Sequence, residues 1–452
     1  MHLAKLTMTK FLPVLFVACG LQLTSNAQEI SPYSRYGLGD ISPNRNIMSR
    51  GMGGIAASIH DYQTINFTNP ASLGGIYGTI FDIGTEVDVR SLRTNPASRK
   101  FTSTNALFSY LQLGFPLTTP KMRKKDINWG MTFGLRPVSR IDYDIEKRER
   151  LTGIDSLFTL YSGTGGINQV FAGTGFQINE GTGFHKQVYR FGVNFGYMFG
   201  TKDYSTKLTL LNDTVAYFKS NSANSTHFGG LFINGGFQFE DSIRIGRKKG
   251  NLRLGIYGNV QQRLNAKQDV IRETFSYDAN GNPYRVDSVY DQKNVKGTIV
   301  FPSTVGIGFS YQGQHWMYGA DFEFTNWANY TFYRQTDAVQ NSWVVRVGTE
   351  YFPATKRTNA KKYFSFVRYR GGIFYGPDYV KVTSTRPNYG LTLGTSMPLT
   401  RRVGYGGEYV MLHTGIEIGG RGDKNSSVRE NTMRYTIGIS MNAQWFQKRK
   451  YD

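Results

Sequence analysis

Charged residues recur at alternate positions of this chain, opposite apolar residues, and they carry its clearest chemistry. From Tyr189 to Phe199 the odd positions are aromatic or aliphatic, whereas the even positions include Arg190 and Asn194. The same alternation places charged residues of both signs on the inward-facing side: Arg190, Arg253, Asp321, Glu323, Arg346, Glu350, Arg368, Arg370 and Glu408. Because acids and bases are similar in number, we expect them to pair across a polar interior, with substrate contact as the alternative.

Histidine and cysteine give no sign of a metal site or a catalytic centre. The six histidines include no pair at a metal-ligand spacing, and Cys19 is the single cysteine. The segment from Asp278 to Pro283 resembles a calcium loop only faintly, because its sixth residue is not glycine, and a turn explains it better. No nucleophile and base have a spacing that suggests hydrolysis. The sequence therefore predicts a protein that is not an enzyme and needs no metal or cofactor.

A two-residue period runs through most of the chain and predicts strands. Aromatic residues make up 14% of the chain, there are 52 glycines, and 39% of the residues are hydrophobic. This composition is typical of a transmembrane barrel, and the alternating segments begin or end in Trp, Tyr or Phe, as residues at membrane interfaces do. A soluble β-protein is the alternative. We place fourteen strands, an even number that permits closure, near 76–89, 104–115, 127–140, 166–178, 188–200, 226–239, 251–266, 297–311, 316–328, 342–353, 367–376, 387–397, 403–417 and 432–446.

The N-terminal residues read as an export signal. Lys5 and Lys10 precede a short apolar run, and Ser25-Asn26-Ala27 offers a cleavage site with small residues. After this run no apolar stretch is long enough for a transmembrane helix. We therefore divide the chain into a signal peptide at 1–27, an N-terminal periplasmic segment with a small-residue unit at 28–75, a barrel at 76–446 and a basic periplasmic tail at 447–452, in the cell outer membrane.

The stretch before the first strand, Arg50 to Gly75, is rich in small residues. Gly53 and Gly54 allow the backbone to pack closely, Asp61 begins a polar patch, and Asn69-Pro70 fixes a turn. An ordinary glycine-rich loop is the alternative. This pattern resembles the N-terminal segment of FadL/OmpP-type outer-membrane transporters.

The resemblance covers most of the chain, since Phe301 to Gly308, Phe324 to Trp327 and Tyr389 to Ser396 are similar to strands of that family in the right order. It implies an all-β, 14-stranded antiparallel transmembrane β-barrel with an N-terminal hatch inside the lumen. It also implies that a hydrophobic compound, such as a fatty acid or an aromatic hydrocarbon, moves past the hatch and leaves through a lateral gap. The sequence departs from the family at its end, where the last strand continues into a basic tail.

Two prolines are candidates for the lateral gap. Pro137 lies within the third predicted strand, where its missing N–H removes a ladder hydrogen bond, and Pro302 is the second candidate. The alternative is that each proline merely lies at a strand end.

Basic residues concentrate in segments on one side of the predicted barrel, and the formal net charge of the chain is +21. This periplasmic basic rim comprises Lys121, Lys124, Lys125, Lys248, Lys249, Lys361, Lys362, Lys448 and Lys450. Attraction to anionic outer-membrane lipid headgroups explains the charge and is slightly favoured. An acidic periplasmic or outer-membrane protein partner would also explain the length of these turns. Nucleic acid is excluded, because the patches are separate turns without stacking aromatics.

Two functions follow from these features. The first, which the hatch and Pro137 favour, is passive uptake of a hydrophobic small-molecule ligand across the outer membrane. The second is a non-transporting barrel that serves as a structural subunit of an outer-membrane secretion or protein-insertion complex, which the long basic turns favour.

Overall fold

The computed structural model describes residues 31–95, 100–151, 155–181, 186–211, 217–246, 248–354, 362–382, 384–399, 409–423, 426 and 428–443. The strands are β1 Asp40–Ile41, β2 Thr79–Thr94, β3 Lys100–Pro116, β4 Ile127–Leu151, β5 Asp155–Glu180, β6 Gln187–Leu210, β7 Lys219–Ile245, β8 Lys248–Asn259, β9 Gln262–Tyr277, β10 Pro283–Phe301, β11 Thr304–Gln312, β12 Trp316–Thr325, β13 Thr331–Phe332, β14 Ser342–Tyr351, β15 Arg368–Pro377, β16 Pro387–Pro398, β17 Tyr409–Arg421 and β18 Val428–Ala443. Short helical turns lie at Pro32–Arg35, Ile47–Arg50, Pro70–Gly75, Pro120–Lys124, Trp327–Asn329 and Tyr363–Phe366. None of the described helices could cross a membrane.

The strands form a closed antiparallel barrel, because β18 pairs with β2 along its whole length. β8 and β9 are two parts of one wall strand, because β7 pairs with both of them. β10 and β11 are likewise parts of one strand, because β10 pairs with β9 and β11 pairs with β8. The two-residue strands β1 and β13 pair with the edges of β4 and β10 and are not wall strands. The wall therefore has fourteen strands, which confirms the predicted fold class.

Side chains alternate across this wall as the two-residue period predicts. In β6, Phe191, Phe195 and Tyr197 are exposed on the outer surface, whereas Arg190 and Asn194 are buried inside. Comparable exposed aliphatic residues appear on β16 and β18, so an apolar band surrounds the barrel.

The barrel wall is much taller on one side than on the other. β12, β14 and β15 have 10 residues each, about the length that a membrane requires, whereas β4 to β7 have 24 to 27. We call the upper parts of β4 to β7 together with β9 and β10 the tall wall. We call the end of the barrel that carries the turns at 117–126 and 313–315 the short-turn end.

Irregularities in the tall strands occur where the tall wall begins. The β4–β5 register shifts between Pro137 and Ser139, opposite Asn168 and Ile167, and the next β5 residue in the ladder, Gly166, has a φ of +142°. The breaks at 260–261 and 302–303 also lie on adjacent strands at one level. These interruptions bend the strands at the level where the wall rises beyond its shorter neighbours.

The described residues that precede β2, from 31 onward, lie inside the lumen. The chain from 31 to 41 is at the end remote from the short turns, where the Tyr33 hydroxyl donates to the carbonyl of Val428 at 3.2 Å. It then passes to the short-turn end, where the Tyr409 hydroxyl donates to the carbonyl of Tyr62 at 2.8 Å, before β2 begins. We call residues 44–76 the hatch and residues 31–42 the N-terminal strap. Of the predicted domains, 1–27 and 447–452 lie outside the described residues.

Candidate functional site

The hatch is built from local signals in its own sequence. Asn46 caps the helical turn Ile47–Arg50 by accepting from the backbone N–H of Ser49 at 2.9 Å. Gly53 and Gly54 follow with φ of +69° and +82°, a conformation that favours glycine. The chain thereby turns sharply against the inner surface of β14 and β15.

Asn69 and Pro70 form the second turn of the hatch. The Asn69 side chain accepts from the N–H of Ala71 at 3.1 Å and donates to the carbonyl of Ala57 at 2.6 Å, so it joins the two arms of the hatch. The 3₁₀ turn Pro70–Gly75 then packs against the wall. A Cβ at Gly192 would lie 2.2 Å from the Pro70 carbonyl oxygen, which shows how closely the backbones approach.

The predicted lumen charges that the structure describes lie inside the barrel, and they pair with each other and with the hatch. Arg190 and Arg253 both contact Glu240, at 2.9 and 3.0 Å. The Asp321 carboxylate accepts from the N–H groups of Ala56 and Ala57 at 2.6 and 2.9 Å. Glu408 lies outside the described residues.

Two further sets complete this pairing. Glu323 lies 2.8 Å from hatch residue Arg45 and 3.1 Å from Arg346. Arg368 lies 3.1 Å from hatch residue Asp61 and 3.2 Å from Glu350, which also contacts Arg370 at 2.7 Å. Ion pairs thus hold the hatch to strands on several sides of the lumen.

The sequence analysis missed a second charge network on the inner side of β2, β17 and β18. Arg90 in β2 lies 2.8 Å from Asp40 of the strap and 3.0 Å from Asp88, and Arg434 lies 2.7 Å from Glu417. Its other members are Arg50, Glu86, Arg140, Arg421 and Glu430. The alternating charges of β2, in the run TEVDVR, were a signal that could have predicted it.

An opening separates β3 and β4 at Pro137. These strands pair only from Leu111–Leu135 to Pro116–Gly130, although both continue well beyond. The edge of β4 above Pro137 is instead covered by the strap, where Asp40 and Ile41 pair with Arg140 and Ser139. The N–H of Ser42 also donates to the carbonyl of Val138 at 3.0 Å. A role for Pro137 as an exit stays a prediction.

Pro302 has a different setting from Pro137. It lies between β10 and β11, and its carbonyl accepts from the Asn259 side chain at 2.9 Å. The neighbouring wall strand keeps its register on both sides of this break, from Gln262–Phe301 to Asn259–Thr304. Pro302 thus interrupts a strand without separating it from β8 and β9.

A cavity of about 300 Å³ lies in the lumen, between the hatch and the loops at 326–341 and 378–382. Hatch residue Phe67 and wall residue Phe171 form part of its apolar lining, and Trp327 and Tyr379, stacked at 4.2 Å, lie on its far side. Arginines form much of the rest: Arg45, Arg50, Arg90, Arg136, Arg346, Arg421 and Arg434. Within the described ranges, no cluster of His, Cys, Asp and Glu could hold a metal ion.

The basic rim is described only in part. Lys121, Lys124 and Lys125 are exposed around the helical turn Pro120–Lys124 at the short-turn end. Lys249 and Lys362 are also exposed there, and Lys248 begins β8. Lys361, Lys448 and Lys450 lie outside the described residues.

Comparisons with known proteins agree with this geometry. The family model described as BamG matches residues 8–452. A search of curated proteins finds no significant match. Among solved structures, a FadL homologue from Pseudomonas aeruginosa has a TM-score of 0.53 at 10% identity and covers 91% of this chain and 100% of its own.

Two further structures are the toluene transporter TodX from P. putida and the monoaromatic hydrocarbon channel CymD. Their TM-scores are 0.52 and 0.50, each at 13% identity with 91% of this chain and 100% of the other covered. The likeness establishes a FadL-type barrel fold, as the sequence predicted.

Proposed function

This chain belongs to the BamG family, and from that premise we propose that it is a non-transporting barrel subunit of an outer-membrane complex that inserts or secretes proteins. The FadL-type barrel provides the membrane anchor, in the outer membrane where such barrels occur. Its surfaces outside the membrane then provide the docking sites. The observation that carries this proposal is the set of ion pairs and hydrogen bonds that join the hatch to the wall.

The hatch is held by contacts that a transport cycle would have to break. Arg45–Glu323 and Asp61–Arg368 are buried or largely buried ion pairs, and Asp321 accepts two backbone N–H groups of the hatch. Removing one partner of a buried pair costs about 3–5 kcal/mol. Each hydrogen bond to a charged group contributes about 1.5–3 kcal/mol.

The binding free energy of a hydrophobic ligand is small compared with the free energy of these contacts. Micromolar binding supplies about 8 kcal/mol in total. Only the difference between its affinities for the two hatch positions would drive movement. Because these contacts would have to break together, we infer that the hatch stays in place as part of the structure.

The basic rim is the surface that we assign to a periplasmic partner. Lys121, Lys124 and Lys125 are exposed on a turn that is long for a barrel. Exposed lysines on a turn attract an acidic protein surface and raise its association rate. Anionic lipid headgroups are the competing ligand for the same charges.

Passive uptake of a hydrophobic compound is the second candidate function. The observation that favours it is the lumen cavity, since Val138 lines it and also lies beside the β3–β4 opening. In this alternative the strap and the hatch would both move.

The deciding experiment purifies the tagged protein from its own outer membrane in mild detergent and identifies associated chains by native mass spectrometry. We expect a stoichiometric complex that dissociates with salt and is weakened in the triple variant K121E/K124E/K125E. The matched control is K147E, because Lys147 is an exposed lysine at the opposite end of β4. A lone barrel that releases a hydrophobic compound would overturn the proposal and support uptake.

A further inference from the structure

Arg136 differs from the other arginines that line the lumen cavity. Each of those others pairs with a carboxylate: Arg45, Arg50, Arg90, Arg346, Arg421 and Arg434. Within the described part of the chain, Arg136 contacts no carboxylate. Its Nε donates to the neutral Gln169 amide oxygen at 2.9 Å, and its guanidinium lies 5.4 Å from the centre of the Phe67 ring.

The position of Arg136 makes this missing partner costly. The residue is only 7% exposed and lines the cavity. Buried charges in proteins are generally paired, because removing an ion from water costs several kcal/mol. Arg136 is therefore a cation that faces the cavity without a counter-charge among the described residues.

We propose that this cavity binds an oxyanion, a phosphate or a carboxylate group, on Arg136. The planar guanidinium presents paired donors that match either group. Phe67 and Phe171, each 4% exposed, form an apolar wall beside the cation, so the anion carries an apolar part or is a headgroup. The site depends neither on the proposed complex nor on movement of the hatch.

Two variants test the site in complementary ways. R136M removes the charge and keeps an apolar side chain of similar length. Q169E keeps Arg136 but places a carboxylate where the amide oxygen now accepts at 2.9 Å, which supplies the missing partner within the protein. Q169E therefore tests the proposal even where R136M fails to fold. R263M is the matched control, because Arg263 is exposed outside the barrel.

The measurement is isothermal titration of the full mature protein in lipid nanodiscs with octyl phosphate, octanoate, inorganic phosphate and neutral octanol. We expect the oxyanions to bind and each of R136M and Q169E to weaken them at least about tenfold, with R263M unchanged. Binding of inorganic phosphate would identify a free oxyanion as the ligand, and binding of only the alkyl forms would identify an amphipathic headgroup. Octanol binding as tightly as octyl phosphate, or wild-type affinity in both variants, would overturn the proposal.

Discussion

The guanidinium of hatch residue Arg45 lies 2.8 Å from the carboxylate of Glu323 in β12. The Tyr257 hydroxyl donates to the same carboxylate at 2.6 Å, and Arg346 approaches it at 3.1 Å. One buried carboxylate thus collects donors from the hatch and from two parts of the wall. Its removal should release the hatch more than the loss of any exposed ion pair would.

We expect E323Q to loosen the hatch while the barrel stays closed. The substitution keeps the side-chain shape but leaves two guanidinium groups without their counter-charge, at a cost of about 3–5 kcal/mol. Hydrogen exchange of residues 44–58 in detergent should speed up strongly. E273Q is the control, because Glu273 pairs with the exposed Arg285 on the tall wall. Equal exchange in both variants would show that Glu323 does not hold the hatch.

His60 should make hatch stability depend on pH. Burial lowers the pKa of His60 well below 6.5, and the charges of Arg190 and Arg253 lower it further. Below about pH 6.5 the unfolded chain therefore gains a proton that the folded chain does not. Stability is complete above this pH and falls by up to about 1.4 kcal/mol for each pH unit below it.

Melting temperatures of the wild type and H60Q at pH 7.5 and pH 5.5 measure this effect. H60Q should lose less on acidification than the wild type, and H227Q should behave as the wild type because His227 is exposed on the outer surface. Parallel losses in the wild type and H60Q would exclude His60 as the cause.

A methyl group at Gly255 should push the hatch off the wall. A Cβ there would lie 2.0 Å from the carbonyl oxygen of Ala57. This oxygen belongs to the backbone, so no flexible side chain can move aside to make room. We expect G255A to destabilise the hatch by about 1–3 kcal/mol. G371A is the matched control in the wall, since its nearest atom would be 3.8 Å away. Limited proteolysis should cut the hatch faster in G255A alone, and similar cleavage in both variants would contradict the close approach.

A proline at position 42 should uncover the edge of β4. The N–H of Ser42 donates to the carbonyl of Val138 at 3.0 Å, and S42P removes that donor whereas S42A keeps it. We expect faster hydrogen exchange across residues 138–142 in S42P and little change in S42A. Unchanged exchange in S42P would mean that the strap does not protect this edge.

The sequence predicted the barrel well because lipid imposes a two-residue period on its strands. In β6 that period placed Arg190 inside and Phe191 outside, as found. Asn69-Pro70 marked the hatch turn because a capped turn has a local signal. The strand ends were predicted too short at 140, 200 and 226, because the added segments, such as residues 219–226, carry polar residues at both odd and even positions and the apolar alternation fades.

The strap could not be predicted, because its contacts come from distant parts of the chain. Asp337 accepts from the N–H of Gly37 at 2.7 Å, and Tyr330 donates to the Gly37 carbonyl at 2.9 Å. No periodicity or residue spacing in the sequence near Gly37 predicts these partners. Arg136 was missed for a related reason, since its significance is that it contacts no carboxylate among the residues that the structure describes.

Because of the tall wall, the two sides of the barrel differ in height. The tall wall rises from a little under half of the circumference, while β12, β14 and β15 end near the membrane. A neighbouring protein or lipid assembly can therefore reach the membrane surface beside the low strands, but on the other side it meets a sheet first. The molecule is oriented within the plane of the membrane, so a complex built around it would have a defined direction of approach.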